Sequence, residues 1–173
     1  MDSNNYLESV RKQFTQMKVM GEKAMDQVPA NKLFWQYNAE TNSIGIIVKH
    51  IAGNMMSRFT DFFTTDGEKP WRDRDAEFEN EVLTQDNLLA LWNKGWDCLF
   101  GVLNGFKDED LHKKVLIRNE QHTVVDALNR QLAHYASHIG QIIYIGKMIV
   151  GGDWKTLTIP RKGSKEFNAK MGL

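Results

Sequence analysis

A chain of 173 residues with 42% hydrophobic content has enough apolar material for one domain with a proper core and too little length for two, so residues 1–173 read as a single domain. Lysine plus arginine equals aspartate plus glutamate at 22 each; no overall basic field favours nucleic acid or an anionic membrane, and neither partner is expected. The single Cys98 excludes an internal disulfide framework, and the N-terminal MDSNNYLESVRKQ has no charged leader ahead of an apolar core, so a cytoplasmic location is expected.

The first helix is expected from about Asn4 to Asp26, with Tyr6, Leu7, Val10, Phe14, Met17 and Met25 near one face and Pro29 just beyond its end. The short aromatic run from Lys32 to Asn38 reads as a connection packed on the core, equally suited to closing the end of a bundle or to walling a pocket. Thr41-Asn42-Ser43 offers capping residues for a second helix running to about Phe63, whose stripe is Ile44, Ile47, Val48, Ile51, Met55, Phe59 and Phe62. His50 lies beside that stripe.

From Thr64 to Glu81 the periodicity stops, Gly67 and Pro70 intervene, and charges alternate at Arg72-Asp73-Arg74-Asp75. This stretch reads either as a solvated, ion-paired loop or as a lid in which Arg72 or Arg74 binds an anion. A third helix is expected from about Thr84 to Phe106, burying Leu88, Leu91, Trp92, Trp96, Leu99 and Leu103. Cys98 in its middle has neither a nearby base nor a CxxC partner and reads as a packing residue. Val115-Leu116-Ile117 and Gln121 to Val124 flank Arg118-Asn119-Glu120 as in a short β-hairpin.

The last long helix runs from about Val124 to Ile149. Thr123 and Asp126 form a capping box at its start, Gly151-Gly152 ends it, and Val124, Ala127, Leu128, Leu132, Tyr135, Ile139, Ile142, Gly146 and Ile149 share one side. Its most apolar part, Ile139 to Val150, is interrupted by Gln141 and Lys147 and is too short to span a bilayer. A basic tail from Trp154 follows, with one short helix at Ser164 to Lys170. The whole is an all-α four-helix bundle with long connections and a short hairpin before the last long helix.

His134 and His138 stand at i and i+4 in this last helix, on the border of its apolar stripe, where both imidazoles can grip one ion. Two ligands are too few. Of the other histidines, His112 and His122 lie in a polar connection, and His50 alone sits in a second strongly patterned helix. Gln141, one turn beyond His138, is placed to orient a ligand ring or a bound nucleophile, or simply to pack.

The ordered triplet of His50 in IVKHIAGN with His134 and His138 in LAHYASHIGQI resembles the DinB/YfiT-like superfamily of metal-binding four-helix bundles. The stretches from Asn42 to Phe78 and HYASHIGQIIYIGK resemble its branch described only as a domain of unknown function, over about Tyr6 to Ile149. The resemblance implies that His50, His134 and His138 ligate one divalent ion, nickel or zinc, with water in the remaining positions, and that the protein is a homodimer. Relatives include enzymes dependent on low-molecular-weight thiols.

Three neutral imidazoles leave a dication uncompensated and open to water, hydroxide or a thiolate. No GxSxG, HExxH, P-loop or dinucleotide fingerprint is present. The expected activity is a metal-dependent transferase that activates a thiol cosubstrate against a small-molecule substrate. The alternatives are a metal-dependent hydrolase and a non-catalytic metal-binding interaction bundle.

Overall fold

The computed structural model describes residues 3–172. The chain is mostly helical, 62%, with five helices and one two-stranded hairpin. They are α1 (Ser3–Met25), α2 (Ile44–Phe59), α3 (Gln85–Asn104), β1 (Lys114–Ile117), β2 (Glu120–Thr123), α4 (Val124–Val150) and α5 (Ser164–Lys170). The first four long helices form the bundle, α2 packing chiefly on α3 and α1 on α4. Among the described residues no helix is long and apolar enough to cross a membrane.

Local chemistry sets the helix starts. The Ser43 side chain accepts from the Ile46 N–H to begin α2, Thr84 accepts from Asn87 to begin α3, and Thr123 and Asp126 make a reciprocal capping box at α4. Ile44, Ile47, Val48, Ile51, Met55, Phe59 and Phe62 are all buried, as their spacing predicts. In α3, Leu88, Trp92, Trp96, Leu99 and Leu103 are buried while Leu91 is half-buried at the edge. The central layer is aromatic: Phe14, Trp96 and Tyr135 from α1, α3 and α4 meet with ring centroids 6.0–6.3 Å apart.

Helix α2 is buried on almost every side, including Lys49, His50, Asn54, Ser57 and Arg58. Buried polar groups need partners, and the segment between α2 and α3 supplies them. Lys49 Nζ donates to the Glu79 carbonyl at 2.6 Å, and Ser57 Oγ to the Gly67 carbonyl at 2.7 Å. The polar stretch from Thr64 to Glu81 therefore folds back over α2. Its Arg72 and Glu77 side chains are almost wholly buried.

The hairpin pairs Val115 with His122 and Ile117 with Glu120, and turns through Arg118 and Asn119, both at positive φ (56° and 62°). Neither residue is glycine, so the turn is strained. Asp66 offsets the strain by accepting both turn amides, Arg118 N at 2.9 Å and Asn119 N at 2.7 Å, while Gly67 N donates to the Leu116 carbonyl. These bonds clamp the hairpin tip to the loop that covers α2.

Candidate metal centre

Helices α2 and α4 bring three imidazoles to one point. His134 Nε2 lies 3.2 Å from His50 Nε2 and 3.1 Å from His138 Nε2, and the three nitrogens are mutually within 4.8 Å. Nitrogen ligands at ~2.0–2.1 Å from one ion are separated by roughly 2.9 Å at right angles and roughly 3.4 Å at the tetrahedral angle. Both separations from His134 fall in that interval, so the cluster could hold a metal ion.

The surroundings fix which nitrogens carry protons. His50 Nδ1 is 3.0 Å from Glu77 Oε2, a carboxylate that can only accept while ionised, so His50 carries its proton on Nδ1 and turns a lone pair inward. Burial alone would raise the pKa of Glu77, but hydrogen bonds from His50 and Arg72, with the charge of Arg72, outweigh it and hold the carboxyl below its usual range. Arg72 grips that carboxylate with two bonds, Nε to Oε1 at 2.7 Å and Nη2 to Oε2 at 2.8 Å. On the other side, His138 Nδ1 is 2.9 Å from Gln141 Oε1, an acceptor that likewise leaves the Nε2 lone pair facing the cluster.

His134 stands between these two lone pairs. Its own Nδ1 is buried and has no partner among the described residues, and its pKa falls to about 3 through burial first and then through His138 and His50. The ring is thus neutral and can offer one N–H to one neighbour at most. Three inward nitrogens with so few protons among them suit a cation better than they suit each other. His138 is also lowered, by burial and by His50, against the opposing bond to Gln141.

Tyr135 Oη donates to Asn54 Oδ1 at 3.0 Å and Phe78 lies 4.8 Å, centroid to centroid, from the His50 ring, so both walls of the site are fixed by packing. Gly53, one turn past His50, leaves room for the Glu77 carboxylate, which a Cβ there would strike. His112 is exposed and His122 is half-buried on the hairpin, and neither joins the cluster.

Two cavities flank the centre. One, of about 570 Å³, is lined by Trp35, Tyr37, Ile47, Gln141, Tyr144 and Met148, which gives the aromatic run after α1 a place in a pocket wall. The other, of about 380 Å³, contains His50 and His134 themselves together with Asn54 and a group of arginines that includes both Arg72 and Arg74. Arg72 is committed to Glu77, whereas Arg74 rests over the Phe78 ring, 5.0 Å from its centroid. Glu77 itself gave no signal in the sequence, because it lies in a run of alternating charge where nothing distinguishes one carboxylate from the next.

Fold and site together define a helical bundle with a three-histidine cluster able to take a metal ion. Residues 2–163 match the model of the family described as protein of unknown function DUF1572, and the chain belongs to that family. No curated protein matches it.

Proposed function

We propose that the chain is a metal-dependent enzyme whose His50, His134 and His138 ligate one divalent ion, nickel or zinc, and that it transfers a low-molecular-weight thiol to a small electrophile. The observation that carries the reading is the convergence of three Nε2 atoms, two of them held as lone pairs by Glu77 and Gln141. The sequence resemblance to the DinB/YfiT-like superfamily, with its thiol-dependent members, supports the choice of reaction.

A dication in such a site supplies Lewis acidity that brings a water or thiol proton within reach of neutral pH. The chain's own groups do the rest. Glu77 and Gln141 orient two rings and raise their basicity, and Arg72 cancels the charge of Glu77 so that the site keeps a net positive demand. The ligand imidazoles have their lone pairs committed and are poor general bases. Metal-assisted hydrolysis is the second reading, favoured by the polar cavity open to His50 and His134.

Elemental analysis tests the ligand set: His50→Ala, His134→Ala and His138→Ala each lose most bound metal, whereas His112→Ala and His122→Ala keep it. Full retention in the His50 variant overturns the assignment. Assays of the loaded protein with glutathione, bacillithiol or cysteine against a chlorobimane, beside ester and amide substrates, separate the two reactions. Turnover that survives chelation excludes both. The same reading includes a homodimer, which sedimentation as a monomer at micromolar concentration would remove.

A further inference from the structure

The chain has seven arginines, at positions 11, 58, 72, 74, 118, 130 and 161. Five of them, Arg58, Arg72, Arg74, Arg118 and Arg130, line the cavity that contains His50 and His134, and no lysine does. Two helices deliver this grouping by the same spacing. Helix α2 carries His50, Asn54 and Arg58 at successive steps of four, and α4 carries Arg130, His134 and His138 likewise, so both ladders put an arginine on the cavity side of the histidines. The hairpin tip, clamped by Asp66, adds Arg118, and the covering loop adds Arg72 and Arg74.

Among the described residues the ion-pair partners of these five are two carboxylates. Glu68 meets Arg58 at 3.3 Å, Arg118 at 3.0 Å and Arg72 at 3.8 Å, and Glu77 meets Arg72. Three positive charges are left over in one cavity of a chain whose formal net charge is zero. Among the described residues Arg130 makes no ion pair or side-chain hydrogen bond, and Arg74 has only the Phe78 ring. Arg58, 4% exposed, holds a buried Nε without a partner in the same wall. Like charges gathered around a concave space repel one another and are stabilised by an anion placed among them. Guanidinium groups, planar and always charged, suit an oxyanion better than ammonium groups do.

We propose that this cavity is a binding site for the oxyanion of an acidic small-molecule substrate, a carboxylate or phosphate group held chiefly by Arg130 and Arg74. Arg130 lies one step of four before His134, ~6 Å along the helix, so the reacting atom of that molecule sits a few bonds from its acidic group. This rests on the three histidines being the reacting centre, and it narrows the substrate to small organic acids or phosphate esters.

The test uses metal-free full-length protein, so that an anion cannot bind through an ion on the histidines. Calorimetric titration at low ionic strength is made with malate, with inorganic phosphate, and with malamide as the uncharged control. Binding of malate or phosphate but not malamide is expected, weakened about tenfold or more in Arg130→Gln and in Arg74→Gln and unchanged in Arg161→Gln, which lies outside the cavity. Preference between the two anions names the acid. Both arginines are exposed, and circular dichroism checks that the variants fold. Equal binding by wild type and both variants, or no anion binding at all, overturns the proposal. So does weaker metal uptake by Arg130→Gln, measured in a separate titration with the metal alone, with anion binding by the metal-free variant intact, since the arginine would then serve the histidines. A protein that binds the anion at these arginines but takes up no metal keeps the cavity and removes the metal reading.

Discussion

Glu77 shows how one side chain can join a folding role to a site role. It anchors the covering loop to α2, neutralises Arg72 and sets the proton of His50. Removing its charge should damage both functions, and the two can be separated. Glu77→Gln leaves a guanidinium that is only 2% exposed with the more distant Glu68, 3.8 Å away, as its remaining carboxylate, which costs about 3 kcal/mol of stability in the metal-free protein. It also frees His50 to turn or to change tautomer, lowering metal affinity roughly 10–100-fold. In the double variant Arg72→Gln with Glu77→Gln no stranded charge remains, so thermal stability should largely return while affinity, measured by competition with a chelating dye, stays low. Recovery of both would show that Glu77 acts on the fold alone.

At the scale of elements, close approach is what places the ligands. A Cβ at Gly95 of α3 would lie 2.8 Å from Ala52 Cα on α2, so the two backbones meet where only hydrogen fits. Gly95→Ala must part the helices and is expected to cost about 1–3 kcal/mol, read as a lower melting temperature, with metal affinity little changed because His50 and Glu77 move together. Gly53→Ala is the complementary case. Its methyl group meets the Glu77 carboxylate rather than a backbone, so the expected result is weaker metal binding with a smaller loss of stability. Equal effects of the two substitutions on affinity would break this assignment. The helices themselves were legible from apolar spacing and caps to within a few residues, α2 ending at Phe59 rather than Phe63 because Thr60 leaves the helical conformation. The pair His134 and His138 was legible for the same reason, since i,i+4 spacing survives in sequence, and His50 was legible from its place beside the α2 stripe and from the family resemblance. Glu77, Arg58 and Arg130 were not singled out. Two of them come from regular helices and could have been found by extending the steps of four from His50 and His134, but Glu77 arrives by the fold-back of an aperiodic loop, which no local pattern encodes.

Across the whole molecule, the cost of assembling the site should appear as acid sensitivity. The pKa of His134 is depressed from an ordinary 6.5 to about 3 by burial and by its histidine neighbours, and that of His138 is depressed by burial and by His50. Below pH 6.5 the unfolded chain therefore binds protons that the folded chain refuses, and stability falls as pH falls. The loss continues until the folded pKa is passed, near pH 3 for His134. Glu77, Glu68 and Asp66, all held below their ordinary values, add losses of the same sign in the carboxylate range. Each unmatched proton contributes at most about 1.4 kcal/mol per pH unit, and solvent screening of the half-buried rings narrows the pH range over which the mismatch lasts. Melting temperatures of the metal-free protein should therefore drop steadily from pH 6.5 to pH 4. His134→Gln, which removes one titrating group from both states, should flatten that slope while leaving the steeper fall below pH 4.5 in place. Identical slopes for wild type and variant would mean that the folded protein takes up a proton on His134 as readily as the unfolded chain does, so that burial and the neighbouring histidines do not depress its pKa.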